Sequence, residues 1–394
     1  MAEKPTTTAT PKPQKAKEAP KAASAEKTPA EASKGKKAVT IPKVTDALST
    51  LATRVNGSKT GKDLITKAGL TGWDMQQVPM VAMPTTGHCS ECQKPVGERH
   101  AADCQIALID PDESGIRTVV EDDTSIPVAV PGVWQLLYRH DSTGAEWIPL
   151  GTPITRQNRK FVTIEQRITV LSDMVKATGK PGRWHAAGLL DGPGEQFASF
   201  RMPDAIKVGG VDEVELRIVL VNSLVAGQPS RVLFMPVRTA VPTTQRAILH
   251  APNGFTLRAD GADGPTEASE ALTAATAYFA EFEHMTTAML QAEFTTGEFE
   301  TLFDHLWKQP SNDKLKTDWY RKRGLLTGLF EGNHKAFAPI KNTRWAAWQA
   351  VQVWTEHLTA VGSVLENPVE QAALSALFGE GKNVSEKAWK TLTA

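Results

Sequence analysis

The three cysteines of the chain, Cys89, Cys92 and Cys104, fall within one short stretch, and His100 lies between the last two. A Cys-x-x-Cys pair presents two thiolates from a single tight turn, and zinc favours four sulfur or imidazole ligands in a tetrahedral arrangement. These four side chains predict a zinc site. Because four protein ligands leave no position for water, we expect the ion to be structural and to fix a loop at 86–105.

Two alternatives to this ligand set stay open. Cys89 and Cys92 could form a redox dithiol or stay free thiols, and His88 could replace His100 as the fourth ligand. An odd number of cysteines in one cluster does not suit a disulfide framework. It indicates a reducing compartment, and we therefore expect a cytoplasmic protein, in the host cell if a phage encodes it.

A second pattern lies between residues 305 and 345, where basic residues outnumber acidic ones and aromatic residues are interleaved with them. Cationic grooves with stacking rings hold single-stranded nucleic acid, and each stacked base contributes about 1–3 kcal/mol. From this pattern we expect Lys316, Arg321, Lys322 and Arg323 to contact phosphates, and Trp319 and Tyr320 to stack on bases. The alternative is that the cations cover the solvent face of helices whose aromatic residues form the core.

The formal net charge of zero hides an asymmetry along the chain. Residues 1–40 carry nine Lys and four Glu, a net charge of +5, so the remainder carries 35 basic and 40 acidic residues, a net charge of −5. The segment 1–40 consists mostly of Ala, Lys, Pro, Thr, Glu and Ser, which cannot bury enough apolar surface to offset the entropy of ordering. We expect a disordered basic arm, which either contacts nucleic acid or keeps the protein soluble.

Apolar periodicity and helix-capping residues predict the helices and strands that must position these side chains. Thr163 and Gln166 form a capping box in front of an apolar stripe, which predicts a helix. Four strand-like runs follow at 184–190, 196–202, 214–221 and 231–238. Helical spacing begins at about residue 266, with further helices expected at 297–308, 312–330, 342–360 and 367–378.

The expected fold class is therefore α+β, with a helix packed on an antiparallel β-meander, a helical C-terminal region and a disordered N-terminal arm. We expect an arm at 1–40, an α+β domain at 41–265 that contains the zinc loop, and a helical region at 266–394. The chain lacks the apolar run that a membrane span requires, so we expect no membrane partner. It also lacks the common catalytic signatures, and we expect no enzymatic activity.

Several strings between residues 62 and 360 resemble a known family. They are Gly69-Leu-Thr-Gly-Trp-Asp74, Arg156-Gln-Asn-Arg159, Val219-Leu-Val-Asn-Ser223, Ser230-Arg-Val-Leu-Phe-Met-Pro-Val-Arg238, Leu329-Phe-Glu-Gly332, Thr343-Arg-Trp-Ala-Ala-Trp348 and Trp354-Thr-Glu-His357. They are similar to segments of the phage and plasmid-like domain-of-unknown-function family 932, carried on laterally transferred elements. The chain departs from this family in two places. It has no Trp-His-Gly-Leu-Gly string, and Ala240-Val-Pro-Thr243 stands where relatives have Cys-Gln-Asn.

The resemblance implies a biological setting on a mobile element and no mechanism. With the basic aromatic stretch, it leads us to expect a phage or plasmid accessory protein of DNA metabolism that binds single-stranded DNA and promotes annealing. The alternative is a non-enzymatic interaction or regulatory factor with a structural zinc, whose partner is a host or phage protein. Self-association into a homo-oligomer, and an enzyme whose catalytic carboxylates leave no motif, also stay open.

Overall fold

A computed structural model describes residues 39–53, 57–82, 128–140, 146–154, 162–179, 183–190, 192, 194–224, 228–258, 264–359 and 367–394. The expected zinc loop and its four ligands lie outside these residues, as does nearly all of the expected disordered arm at 1–40. Residues Ala38–Ala394 form one compact unit, so both sides of the boundary expected near residue 265 belong to the same body.

Eleven strands occur in the described residues. They are β1 Ala52–Thr53, β2 Trp73–Ala82, β3 Val128–His140, β4 Ile148–Ile154, β5 Arg183–Leu190, β6 Glu195–Arg201, β7 Ile206–Val208, β8 Asp212–Ser223, β9 Arg231–Arg238, β10 Thr243–Thr244 and β11 Gly254–Thr256. The main sheet is antiparallel with the order β1-β5-β6-β8-β9-β10, while β7 pairs with β8 and β11 with β9. The four strands expected from the sequence form its centre, which confirms the meander.

Nine α-helices occur in the described residues. They are α1 Ala47–Leu51, α2 Gly61–Lys67, α3 Ile164–Ala177, α4 Gly264–Gln291, α5 Thr296–Leu306, α6 Asp313–Phe330, α7 Arg344–Val353, α8 Pro368–Phe378 and α9 Glu380–Thr393. A π-helical turn, Trp354–Leu358, continues α7. Among these described helices, none combines the length and apolar character that a bilayer crossing requires.

Helices α3 and α4 share one apolar core with the central strands. The capping box of α3 is present as expected from Thr163 and Gln166, and its buried Leu171 belongs to the same cluster as Phe200 of β6. From α4, Tyr278 and Phe279 pack with their rings against Phe234 of β9. The mixed helix and antiparallel-sheet fold class is therefore confirmed.

The C-terminal helices build a second core around indole rings. Trp348 of α7 contacts both Trp345 and Trp389, with ring centroids 5.5 and 4.5 Å apart, and all three are buried. The Trp345 indole N–H donates to the carboxylate of Asp212 at 2.7 Å, and the same carboxylate accepts from Arg238 at 2.8 Å. This buried polar contact joins the helical region to strands β8 and β9, because both charged groups would be costly to bury alone.

A separate three-stranded sheet, in the order β2-β3-β4, precedes the main sheet in the chain. Its middle strand, β3, is continuous, and Pro131 and Gly132 lie within it. Helix α9 lies beyond the last helix expected from the sequence, at 367–378.

Candidate functional site on helix α6

Helix α6 carries all six residues that the sequence associated with nucleic acid. Its first turn is capped by Asn312, whose side chain accepts from the backbone N–H of Lys314 at 2.9 Å. Its composition is favourable to helix, with Leu, Lys and Arg and no proline after the cap. At 100° per residue the six positions fall on two halves of the helix, with Lys316 and Arg323 only about 20° apart where the halves meet. We call Lys316, Tyr320 and Arg321, together with Gly324, the outer face, and Trp319, Lys322 and Arg323 the inner face.

The outer face presents an aromatic ring among cations. Tyr320 is 54% exposed, and its hydroxyl oxygen accepts from the Gln309 side chain at 2.8 Å. Arg321 is exposed and pairs with Asp318 at 3.3 Å, while the partly exposed Lys316 pairs with Asp313 at 2.8 Å. Surface ion pairs of this kind contribute about 0–1 kcal/mol, so an incoming phosphate can compete for both cations.

Trp319 lies on the inner face and is only 8% exposed. Its indole N–H donates to the backbone carbonyl of Trp307 at 2.9 Å, and its ring contacts Phe303 with centroids 5.2 Å apart. With both the polar tip and the ring engaged in the core, Trp319 has no face open to a base. The expectation that it stacks on nucleic acid is therefore corrected, because one residue along a helix is a rotation of about 100°.

Arg323 is also engaged internally. It pairs with Glu300 of α5 at 3.1 Å, and its guanidinium lies 5.4 Å from the centre of the Trp319 ring. About a quarter of the Arg323 side chain is exposed. These contacts place Arg323 at the junction of α5 and α6, where it links two helices.

Lys322 points into a cage of indole rings. Its ammonium lies 3.4 Å from the centre of the Trp307 ring and 4.4 Å from that of Trp354. Burial lowers the pKa of Lys322 to about 7, because desolvation disfavours the charged amine, and the nearby charge of Glu380 opposes this shift only in part. Lys322 forms no hydrogen bond or ion pair with any residue that the structure describes.

A cavity of about 430 Å³ opens beside this amine. Its lining includes Lys322, the two indole residues Trp307 and Trp354, and three residues with hydroxyl groups, Thr355, Thr359 and Ser375. Its volume falls within the range of ligand-binding pockets in proteins, about 300–1,000 Å³. The π-helical turn supplies Trp354 and Thr355, and such turns are frequent at functional sites.

The sequence pattern indicated some of this site and missed the rest. Trp307 and Lys322 belong to the basic aromatic stretch, but Glu380 lies on α9, and no pattern indicated that helix. The cavity requires α6, the π-helical turn, α8 and α9 to converge, and the spacing of residues within a single element does not encode that convergence.

The structure leaves the metal expectation untested. Cys89, Cys92, His100 and Cys104 lie outside the described residues, and elsewhere the described residues contain no cluster of three or more His, Cys, Asp or Glu able to hold a metal. Zinc therefore stays a prediction.

Comparison with known proteins identifies a family. The family model described as "Domain of unknown function (DUF932)" matches residues 155–377, more than half of the chain. No curated protein and no protein of known structure gives a significant match. The matched region runs from just before α3 to the last turn of α8, so it includes every strand of the main sheet except β1, together with α6 and most of the cavity lining. The chain belongs to the DUF932 family.

Proposed function

We propose that this protein is a phage or plasmid accessory protein of DNA metabolism that binds single-stranded DNA through the outer face of α6. The observation that carries the proposal is the half-exposed ring of Tyr320 between Lys316 and Arg321. Exposed aromatic rings beside cations are the stacking platforms of single-strand binders, because every base offers a π-face and every nucleotide a phosphate.

The spacing of residues along the helix supports binding of a DNA strand that lies along this outer face. Lys316, Tyr320 and Gly324 are four residues apart and form one stripe. A Cβ atom added at Gly324 would meet no atom within 4 Å, so the backbone of α6 is open to close approach there. Lys308 and Lys314 are exposed near the start of the helix and add positive charge.

The proposed contact set has fewer residues than the sequence pattern indicated. Lys316, Tyr320 and Arg321 remain in the proposed contact set. Trp319 is excluded because its ring is buried, and Lys322 is excluded because it faces the cavity. Arg323 is excluded because it forms an ion pair with Glu300. Since Asp313 and Asp318 lie on the same surface, we expect modest affinity with a small number of phosphate contacts.

Binding of the full-length protein to a labelled single strand, titrated with salt, tests the proposal. We expect Tyr320→Ala to weaken binding by the contribution of one stacked base, about 1–3 kcal/mol. Arg321→Glu should weaken binding and reduce the salt slope by about 1, because one phosphate contact is lost. Lys207→Glu is the matched charge control, since Lys207 is an exposed lysine on β7.

Two outcomes would overturn the proposal. One is binding that does not weaken as salt rises, and the other is equal loss in Lys207→Glu and Arg321→Glu. Co-purification of one dominant protein partner, without retention on single-stranded DNA, would favour the interaction factor instead. Duplex DNA and a complementary-strand annealing assay, run in parallel, test strand preference and the annealing activity.

We also propose that Cys89, Cys92, His100 and Cys104 bind one structural zinc ion. The support is the donor set itself, three thiolates and one imidazole at zinc-finger-like spacing. Metal analysis of the purified protein should give one zinc per chain, and Cys92→Ser should lower that content. A zinc-free protein whose thermal unfolding is unchanged by a strong chelator would contradict the proposal.

A further inference from the structure

Lys322 is the most unusual ionisable group near the proposed binding face, and single-strand binding does not use it. It lies at the edge of the cavity, flanked by Trp307 at 3.4 Å and Trp354 at 4.4 Å. An amine with no hydrogen-bonding partner among the described residues keeps its donors, and its lone pair when it is neutral, available to whatever enters the cavity.

We propose that this cavity is a reactive-amine site, in which Lys322 captures a small aldehyde or ketone as an imine. The inference does not depend on DNA binding, because Lys322 and the outer face of α6 lie on different sides of the helix.

The lining favours a carbonyl compound over a phosphate. A phosphate needs several donors at once, but Thr355 donates its hydroxyl proton to the carbonyl of Gln352, and Thr359 donates to the carbonyl of Thr355. The Ser375 oxygen accepts from the backbone N–H of Gly381 at 3.0 Å, so of these three hydroxyl groups only that of Ser375 keeps its proton to donate. A carbonyl carbon requires only the amine, and the two indoles offer apolar walls for the rest of a small molecule.

The electrostatics supply a nucleophile at neutral pH. With the pKa of Lys322 near 7, about half of this amine is neutral at pH 7, against roughly 0.04% for a lysine at its reference pKa of about 10.4. Desolvation of a lysine in an apolar pocket is a known route to amine nucleophiles. Glu380 is the one acidic residue among the described residues that line the cavity.

The chemistry balances without an oxidant or a reductant. The lone pair of Nζ attacks the carbonyl carbon and forms the C–N bond, while the C–O π pair moves to oxygen, which takes up a proton. The amine nitrogen loses its protons, the oxygen leaves as water and the C=N bond forms. One amine and one carbonyl compound give one imine and one water.

Reductive trapping on the full-length protein tests the site. Benzaldehyde is the probe, sodium cyanoborohydride supplies the hydride that fixes the imine as a secondary amine, and peptide mass mapping locates the label. We expect Lys322 to be labelled at least tenfold faster than Lys314, an exposed lysine on the same helix. Lys322→Arg should abolish the fast labelling, and Lys314→Arg should leave it unchanged.

A second variant separates a cavity from a merely reactive side chain. Ala372→Phe places a ring into the lining and should slow labelling of Lys322 without affecting Lys314. Excess benzyl alcohol has the ring of the probe without its carbonyl, and it should also slow labelling of Lys322 in the wild-type protein. This competition replaces the variant as the test if the circular dichroism signal shows that Ala372→Phe does not fold. Labelling of Lys322 no faster than that of Lys314, or labelling insensitive to both changes, would overturn the proposal.

Discussion

The two faces of α6 have nearly the same composition and opposite environments. On the outer face the ring of Tyr320 is 54% exposed, whereas on the inner face the neighbouring Trp319 is 8% exposed. Arg321 reaches solvent, and Lys322 is inserted between two indoles. The lesson is that one basic aromatic run in sequence can supply two separate environments. We propose that the exposed one binds single-stranded DNA and that the one beside the cavity takes a small molecule.

The comparison is tested most strongly by truncating the two adjacent aromatic residues. Trp319→Ala should lower the free energy of unfolding by about 3–5 kcal/mol, because it removes a buried ring and leaves a cavity. Tyr320→Ala, the matched control one residue away, should change it by no more than about 0.5 kcal/mol. Urea denaturation measures both. Similar losses in the two variants would show that the faces are not distinct.

The titration of Lys322 should be visible in stability. Because its folded pKa of about 7 lies below the unfolded value of about 10.4, wild-type stability is penalised below pH 7 and rises as the pH increases from 7 towards 10.4. Lys322→Met lacks this titration. Between pH 6 and pH 9 we expect the free energy of unfolding of the wild type to rise relative to that of the variant. The rise should be on the order of 1 kcal/mol, because solvent screens the charge of this partly exposed group.

Denaturation of both proteins at pH 6, 7.5 and 9 measures that difference, and Lys314→Met is the control from an exposed position. A difference between wild type and Lys322→Met that does not change with pH would contradict the buried amine. The same result would weaken the argument for imine formation, but it would not affect the proposal of DNA binding.

The two glycines of α6 offer a finer test, since they lie four residues apart on one stripe of the helix but Gly324 is exposed and Gly328 is buried. Gly324→Ala should raise the free energy of unfolding by about 0.5–1 kcal/mol, because alanine is the better helix former and the added methyl meets nothing. At Gly328 the new Cβ would lie 2.9 Å from Cγ2 of Val39, so Gly328→Ala should lose that gain or destabilise. Equal stabilisation in thermal melts would show that Val39 does not pack there.

The smallest effect concerns the ion pair of the inner face. A double-mutant cycle on Arg323 and Glu300 should give a coupling energy of about 0.2–1 kcal/mol, since the pair is partly exposed. The equivalent cycle on Arg321 and Asp318, which are more exposed, should give less. A larger coupling for the outer pair would mean that Arg321 is committed to Asp318 and less available to a phosphate.

Local signals were sufficient to predict α3 and the four central strands. The capping box at Thr163 predicted the start of α3, and apolar alternation bounded by turn residues predicted the four central strands. Both are short-range effects of hydrogen bonding and side-chain direction. Helix α9 was not predicted because much of its sequence is polar and because it begins directly after Gly379. Its apolar residues are buried by contacts with α7 and with other elements distant in sequence, such as the indole N–H of Trp389 donating to the carbonyl of Ile248.

The sequence by itself determined the fold class, the order of the elements and the family, since caps, periodicity and local strings are properties of neighbouring residues. It also collected the aromatic and cationic residues of α6 in one helix. Only the tertiary structure decided which of them face water, because burial depends on α5, α9 and the π-helical turn packing against one side of that helix. The shifted pKa of Lys322 has the same origin, as desolvation is a property of the surroundings and not of the residue.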